Sequence, residues 1–334
     1  MSSNELFLIP GAPTGADLQL SSAGALRHLL AIEGLSRTLI TTLLDRAEGF
    51  LSTDGTPPVR NSHLAGRTVG NLFFEPSTRT RASFSLAAQR LGADVLNLDV
   101  NMSSRKKGES ILDTIYTLQA MQVDIFVVRD ASAGVPAYIA RHVKDHVSVL
   151  NAGEANVSHP TQGLLDLMTI RQHKPNFEDL TVAIVGDVAH SRVARSAALG
   201  LTTMGVGELR LISPPALAPA ADSVPQARIM TDLDAGIRDA DVVMALRIQR
   251  ERIGSLEGIP GIDEYYASYG VNEERMALAA KDAIVMHPGP MNRGIEIESS
   301  LADSERSVIT RQVTNGVAIR MAVLGAVAET TWDS

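Results

Sequence analysis

Residues 67–91 read RTVGNLFFEPSTRTRASFSLAAQRL. A β-rich apolar run predicts a strand over Arg67–Phe74, and the amphipathic run after it predicts a helix over Thr80–Leu91. Between them stand Pro76, Ser77, Thr78, Arg79, Thr80 and Arg81. A helix start carries unsatisfied N–H donors and the positive end of the helix dipole, so hydroxyls and guanidinium groups gathered there describe an anion site. Capping alone needs one hydroxyl and no arginine.

Working outward, the same alternation continues. Ser36 reads as the N-cap of a helix running to Phe50. Strands are predicted at Asp94–Leu98, Asp124–Val128 and Val147–Leu150, and helices at Ser110–Ala120 and Gly163–His173. After HKPNFEDL the pattern restarts, with strands Thr181–Val185, Glu208–Ile212, Asp241–Leu246 and Ala283–Met286. Helices Arg192–Met204 and Val313–Ala328 belong to this second stretch. Alternating strands and helices predict an α/β protein of two doubly wound domains, each with a mostly parallel sheet flanked by helices. The length of 334 residues suits about two domains. The expected organisation is an extension over 1–24, a first domain over 25–160 completed by a C-terminal helix over 309–331, and a second domain over 161–308.

Composition narrows the function classes. The net charge of −8 gives no overall basic field for nucleic acid or an acidic membrane. The absence of cysteine removes disulfides, thiolate nucleophiles, iron–sulfur clusters and thiolate zinc sites. The start, MSSNELFLIPGAPTGADLQL, has no basic segment followed by a long apolar one, and no run approaches the roughly 20 apolar residues of a membrane helix. A cytoplasmic protein is expected. Of 30 basic residues 25 are arginine, the side chain suited to bidentate recognition of carboxylates and phosphates.

In open α/β sheets ligands lie beyond the carboxyl ends of the strands, so the residues that follow each strand matter most. Arg129 follows DIFVV. His159, Thr161 and Gln162 follow VSVL, just before a helix. His190 and Arg192 follow VAIVGD, Arg247 and Gln249 end VVMALRIQ, and His287-Pro288-Gly289-Pro290 follows AIVM. Gly289-Pro290 predicts a rigid turn of the kind that takes a cis bond and aims carbonyls at a ligand. Arg79, Arg129, Arg192 and Arg247 thus form a set of cations suited to a ligand with several negative charges. Neither a GxxxxGK[ST] loop nor a GxGxxG fingerprint is present. His142 and His146 have the i, i+4 spacing of a zinc pair, but no third ligand or HExxH glutamate accompanies them, so a solvated helix face and no metal are expected.

Taken together, FEPSTRTRASF, SSRKKGES, the Arg129 strand end, HPTQGLLD and HPGPMNRG resemble the transcarbamoylases, in order from about residue 25 to 330. LRIQRER narrows the resemblance to aspartate transcarbamoylase catalytic chains. The resemblance implies a carbamoyl-phosphate domain followed by an aspartate domain, and transfer of a carbamoyl group from carbamoyl phosphate to L-aspartate in pyrimidine synthesis, without a cofactor. By similarity Ser77, Thr78, Arg79 and Thr80 hold the phosphate, while Thr80, Arg129 and His159 polarise the carbonyl. Gln162 and the Pro288–Gly289–Pro290 turn hold the carbamoyl nitrogen or the attacking amine, Gly289 and Pro290 on the carbamoyl-phosphate side and Pro288 on the aspartate side. Arg192 and Arg247 pair with the aspartate carboxylates, and Gln249 orients the same substrate. Ser103 and Lys107 reach in from a neighbouring subunit, which makes a homotrimer with shared active sites the expected unit.

The extension resembles that of bacterial forms that assemble with a dihydroorotase-like chain, so such a partner or a regulatory chain is a further expectation. Ornithine transcarbamoylase shares the carbamoyl-phosphate motifs, but its substrate brings a cationic side chain, which Arg247 would repel. Acylornithine transcarbamoylases and a catalytically silent binding subunit are the remaining alternatives.

Overall fold

The computed structural model describes residues 15–52, 60–98, 110–221, 223, 224, 226–249 and 258–332. The chain divides into two compact units, residues 15–164 with 314–332, and residues 165–313.

The first unit opens with α1 (Arg37–Glu48), capped by the Ser36 hydroxyl, which accepts from Leu39 N–H at 3.1 Å. It continues through β1 (Thr68–Phe73), α2 (Thr78–Arg90), β2 (Asp94–Leu98), α3 (Ile111–Ala120), β3 (Ile125–Asp130), α4 (Val135–Ala140) and β4 (Ser148–Glu154). All four strands run parallel in the order β2-β1-β3-β4. The chain leaves β1 in one direction, returns past it to β3, and right-handed crossovers therefore put α2 and α3 on opposite faces. Leu72, Phe126 and Val128 accordingly pack with Ile115 of α3 and Ile139 of α4, while Asn71 turns the other way and donates to Ser85 of α2 at 3.1 Å. Helix α5 (Pro160–His173) carries the chain into the second unit.

The second unit contains β5 (Thr181–Val185), α6 (Arg192–Met204), β6 (Glu208–Ile212), β7 (Ala227–Met230), α7 (Leu233–Ile237), β8 (Val242–Ala245), α8 (Ile262–Tyr269), α9 (Glu273–Met276), β9 (Ile284–Met286) and α10 (Ser299–Ala302). Its sheet is also parallel, in the order β7-β6-β5-β8-β9. Helix α11 (Ile309–Trp332) starts here, and its residues 314–332 belong to the first unit. There Arg46 of α1 grips Glu329 with two bonds of 2.7 Å, and Arg320 lies 5.0 Å over the Phe84 ring. No helix among the described residues is long and apolar enough to cross a membrane.

The two parallel sheets and flanking helices follow the predicted pattern, with five corrections. Arg129 lies inside β3 rather than beyond it, because buried parallel strands continue as far as their partners allow. Helix α5 begins at Pro160, whose fixed φ suits a first helical position, so Thr161 and Gln162 stand in its first turn. Strand β7 and the short helices α4 and α7–α10 are additions to the predicted pattern: the helices carry too few residues for a periodic signal, and β7 is too exposed for an apolar run. His142 and His146 lie in turns after α4, not on a helix, and His142 Nδ1 pairs with Tyr138 O at 2.8 Å. Residues 15–24 of the expected extension are built into the first unit. Gln19 is fully buried there, accepting from Leu30 and Ala31 N–H at 2.7 and 2.8 Å and donating to Glu33 O at 2.7 Å.

Buried His28 ties this N-terminal segment to β4, with Nδ1 accepting from Val149 N–H at 2.9 Å. Burial, helped by the neighbouring Arg27 charge, pushes its pKa from the ordinary 6.5 down to about 3. The unfolded imidazole takes a proton that the folded one refuses, so its contribution is complete above pH 6.5 and falls as pH drops toward 3. In His28→Asn, where an amide oxygen replaces Nδ1, the loss of unfolding free energy between pH 7 and 4.5 should be smaller than in the wild type by about 2 kcal/mol, read from urea midpoints. Equal losses would show that His28 is not the titrating group.

Candidate active site

In the first unit the strand order reverses direction at β1, which makes the crevice at the ends of β1 and β3 its natural ligand position. The chain leaves β1 through Glu75 and Pro76 and enters α2 at Thr78. Ser77 is the N-cap, with extended backbone, yet its side chain accepts no capping bond, and no acidic residue stands in the first turn. Among the described residues, the positive helix end therefore takes neither its own cap hydroxyl nor a first-turn carboxylate. Thr80 is buried, Ser77 half-buried, and Thr78 and Arg79 are exposed.

Arg129 faces this loop from β3. It pairs in register with Phe73, and the register shifts between Val128 and Asp130, an irregularity of the kind that re-aims a side chain. Its guanidinium donates to Ala152 O on β4 and to Glu75 Oε1, both at 3.2 Å. Only 8% exposed, it is thus fixed beside the anion loop by the two neighbouring strands. Beyond β4, His159 and Gln162 are buried, His159 O accepting from Gln162 N–H at 3.0 Å. Thr161, fully buried, has no hydrogen-bond partner for its hydroxyl among the described residues. The structure therefore brings Ser77, Thr78, Arg79, Thr80, Arg129, His159 and Gln162 to one edge of one sheet.

The second unit reverses at β5, and its remaining predicted residues lie beyond β5, β8 and β9. Gly186 has φ 132°, and a Cβ there would lie 2.5 Å from Leu246 O, so only glycine lets the exits of β5 and β8 approach this closely. Arg192 opens α6 behind the Ser191 cap and is buried; Arg247 and Gln249 are half-buried. Beyond β9, the Gly289–Pro290 bond is cis and Gly289 has φ 65°, the left-handed region that favours glycine. His287 braces this turn. Its Nδ1 accepts from Gly289 N–H at 2.8 Å, Nε2 donates to Glu296 Oε1 at 3.2 Å, and its own N–H donates to Gln312 Oε1 at 2.9 Å. Ser103 and Lys107 lie outside the described residues.

Three site-building residues were not singled out from sequence: Glu75, Asp187 and Glu296. Each is a carboxylate paired with a candidate residue or its neighbour, and the signal for Asp187 was an acid directly after the Gly186 strand end. Among the described residues no three of His, Asp and Glu gather as a metal site. A cavity of about 600 Å³ beyond β6 and β7, lined by Pro214, Asp232, Glu264 and Arg275 among others, contains none of the predicted residues.

Both units have counterparts among known proteins. Residues 27–172 match the family model of the aspartate/ornithine carbamoyltransferase carbamoyl-P binding domain, and residues 178–327 that of the Asp/Orn binding domain. The aspartate transcarbamoylase of Trypanosoma cruzi, solved with carbamoyl aspartate and phosphate, is 31% identical with a TM-score of 0.77; the match covers 94% of this chain and 98% of that one. The same enzyme with carbamoyl phosphate and aspartate gives 30% identity and a TM-score of 0.80 over 94% of this chain and 99% of that one. The ornithine carbamoyltransferase of Thermus thermophilus is 25% identical, with a TM-score of 0.79 over 90% of this chain and 99% of that one. Two matching domains over most of the sequence, on two parallel sheets with cations at their carboxyl edges, place this chain in the aspartate/ornithine carbamoyltransferase family.

Proposed function

We propose that this member of the family transfers the carbamoyl group of carbamoyl phosphate to L-aspartate, releasing N-carbamoyl-L-aspartate and phosphate, the committed step of pyrimidine biosynthesis. The observation that carries the choice of aspartate is the pair Arg192 and Arg247 beyond β5 and β8 of the second unit. Two guanidinium groups suit a dicarboxylate and oppose the ammonium of ornithine.

Carbamoyl phosphate is already activated, so the protein has to orient two anions and stabilise the oxyanion that forms. Ser77, Thr78, Arg79 and Thr80 bind the phosphate through hydroxyls, the guanidinium and the α2 N–H groups. Thr80, Arg129 and His159 donate to the carbonyl oxygen as it becomes tetrahedral. Gln162 and the Pro288–Gly289–Pro290 turn hold the carbamoyl nitrogen and the amine, with Arg192 and Arg247 on the carboxylates and Gln249 orienting the same substrate. The amine attacks the carbonyl carbon, the carbon–phosphate oxygen bond breaks, and the departing phosphate takes the amine proton. Ser103 and Lys107 complete the site from a neighbouring subunit of a homotrimer.

The reading is tested by offering L-aspartate and L-ornithine in parallel with carbamoyl phosphate. Carbamoyl aspartate alone is expected; citrulline would assign the second unit to ornithine, and neither product would point to a silent homologue. Arg79→Ala should lower kcat on the order of 10²–10³-fold, as loss of an oxyanion-type donor does, and a loss below about tenfold would remove its assigned role. In His159→Ala the pH dependence of kcat should persist despite the lower rate. Its disappearance would make His159 the base in place of phosphate.

A further inference from the structure

Asp187, the residue after Gly186 at the end of β5, is fully buried, and a carboxylate without water must be held by donors. Its Oδ1 accepts from the His190 backbone N–H at 3.2 Å and meets His190 Nδ1 at 2.8 Å, while Oδ2 accepts from Gln249 N–H at 3.2 Å. The carboxylate fixes the ring proton on Nδ1. Nε2 is then an acceptor in the neutral ring and a second donor in the imidazolium. Among the described residues it has no hydrogen-bond partner. Because the same carboxylate holds Gln249, His190 stands where the β5 exit leading to Arg192 meets the β8 exit carrying Arg247.

We propose that His190 is a further residue for the second substrate: backed by Asp187, its imidazolium donates from Nε2 to a substrate carboxylate and makes dicarboxylate binding depend on pH. The inference rests on the aspartate reading above. The hydrogen bond that His190 donates to Asp187 raises its pKa above 6.5, burial opposes the rise, and the Asp187 charge adds to it. The elements that meet Asp187 bring Arg192 on α6, Arg247 beyond β8 and Tyr265 on α8, whose buried hydroxyl is pushed far up by burial first and then by Glu296 and Asp187. This tyrosine stays neutral between pH 5.5 and 9, roughly the window in which imidazole titrates. His287, held by Glu296, is a second imidazole of this unit and is separated from His190 by resonance assignment.

The test uses the full chain with ¹³C/¹⁵N-labelled histidine and saturating phosphate. Succinate, an unreactive dicarboxylate, is titrated in while the assigned His190 ring is followed from about pH 5.5 to 9. KM for aspartate is measured over the same range in wild type and His190→Gln. His190 should titrate above 6.5, and succinate should move that transition higher. Wild-type KM should rise on the order of tenfold as the ring loses its proton, the value of a charge-assisted hydrogen bond. His190→Gln should show a KM raised on the order of tenfold near pH 7 without that pH dependence, and kcat within about threefold of wild type. A His190 ring indifferent to succinate, or a variant that keeps the wild-type KM profile, overturns the inference while carbamoyl-aspartate formation leaves the aspartate reading standing. Citrulline as the product overturns both. If the variant does not fold, the wild-type succinate titration decides alone.

Discussion

A parallel sheet covered by helices on both faces leaves its strand ends as the places where polar groups can gather without breaking the core. That constraint acts twice in this chain. In each sheet the first strand has neighbours reached by crossovers in opposite directions, β1 between β2 and β3, and β5 between β6 and β8. The loops after these strands part from each other and open a crevice. The anion loop at Ser77–Thr80 and the segment from Asp187 to Arg192 occupy these two equivalent positions, one for each substrate in the proposed reaction.

Polar side chains carried to the edge of a core must be held, and carboxylates and a carbonyl hold several of them here. Glu75 and Ala152 fix Arg129, Asp187 fixes His190 and the Gln249 backbone, and Glu296 fixes His287 behind the Pro288–Gly289–Pro290 turn. Buried pairs of this kind contribute little net stability, since desolvation offsets their attraction. Their effect is orientation: a guanidinium or imidazole aimed before substrate arrives costs less to use in the transition state.

The elements with long apolar runs were legible from sequence. Asp94–Leu98, Thr181–Val185, Glu208–Ile212 and the helix Arg192–Met204 have the bounds their patterns gave. Strand β7 was not legible, since its four residues ARIM are only partly buried and form no apolar run, unlike the comparably short but fully buried β8 and β9. Among candidate residues, the motif arginines, hydroxyls and histidines stand out in the sequence because they come at or after predicted strand ends, although Arg129 lies within β3 itself. Their carboxylate partners do not, because pairing Glu75 with Arg129 requires knowing that β1 and β3 are neighbours although β2 lies between them in sequence.

The amino-acid sequence by itself determined the alternation of strands and helices, the restart that makes two sheets, and the chemical character of the residues at the strand ends. These are local properties, set by side-chain periodicity and turn chemistry. Tertiary structure alone decided that Arg129 is aimed by an irregularity in β3, that Gly186 lets β8 approach β5, and that Gln19 and His28 bind the N-terminal segment into the first unit. Each of these depends on which distant backbone lies a few ångströms away, a quantity that strand order fixes and sequence separation does not.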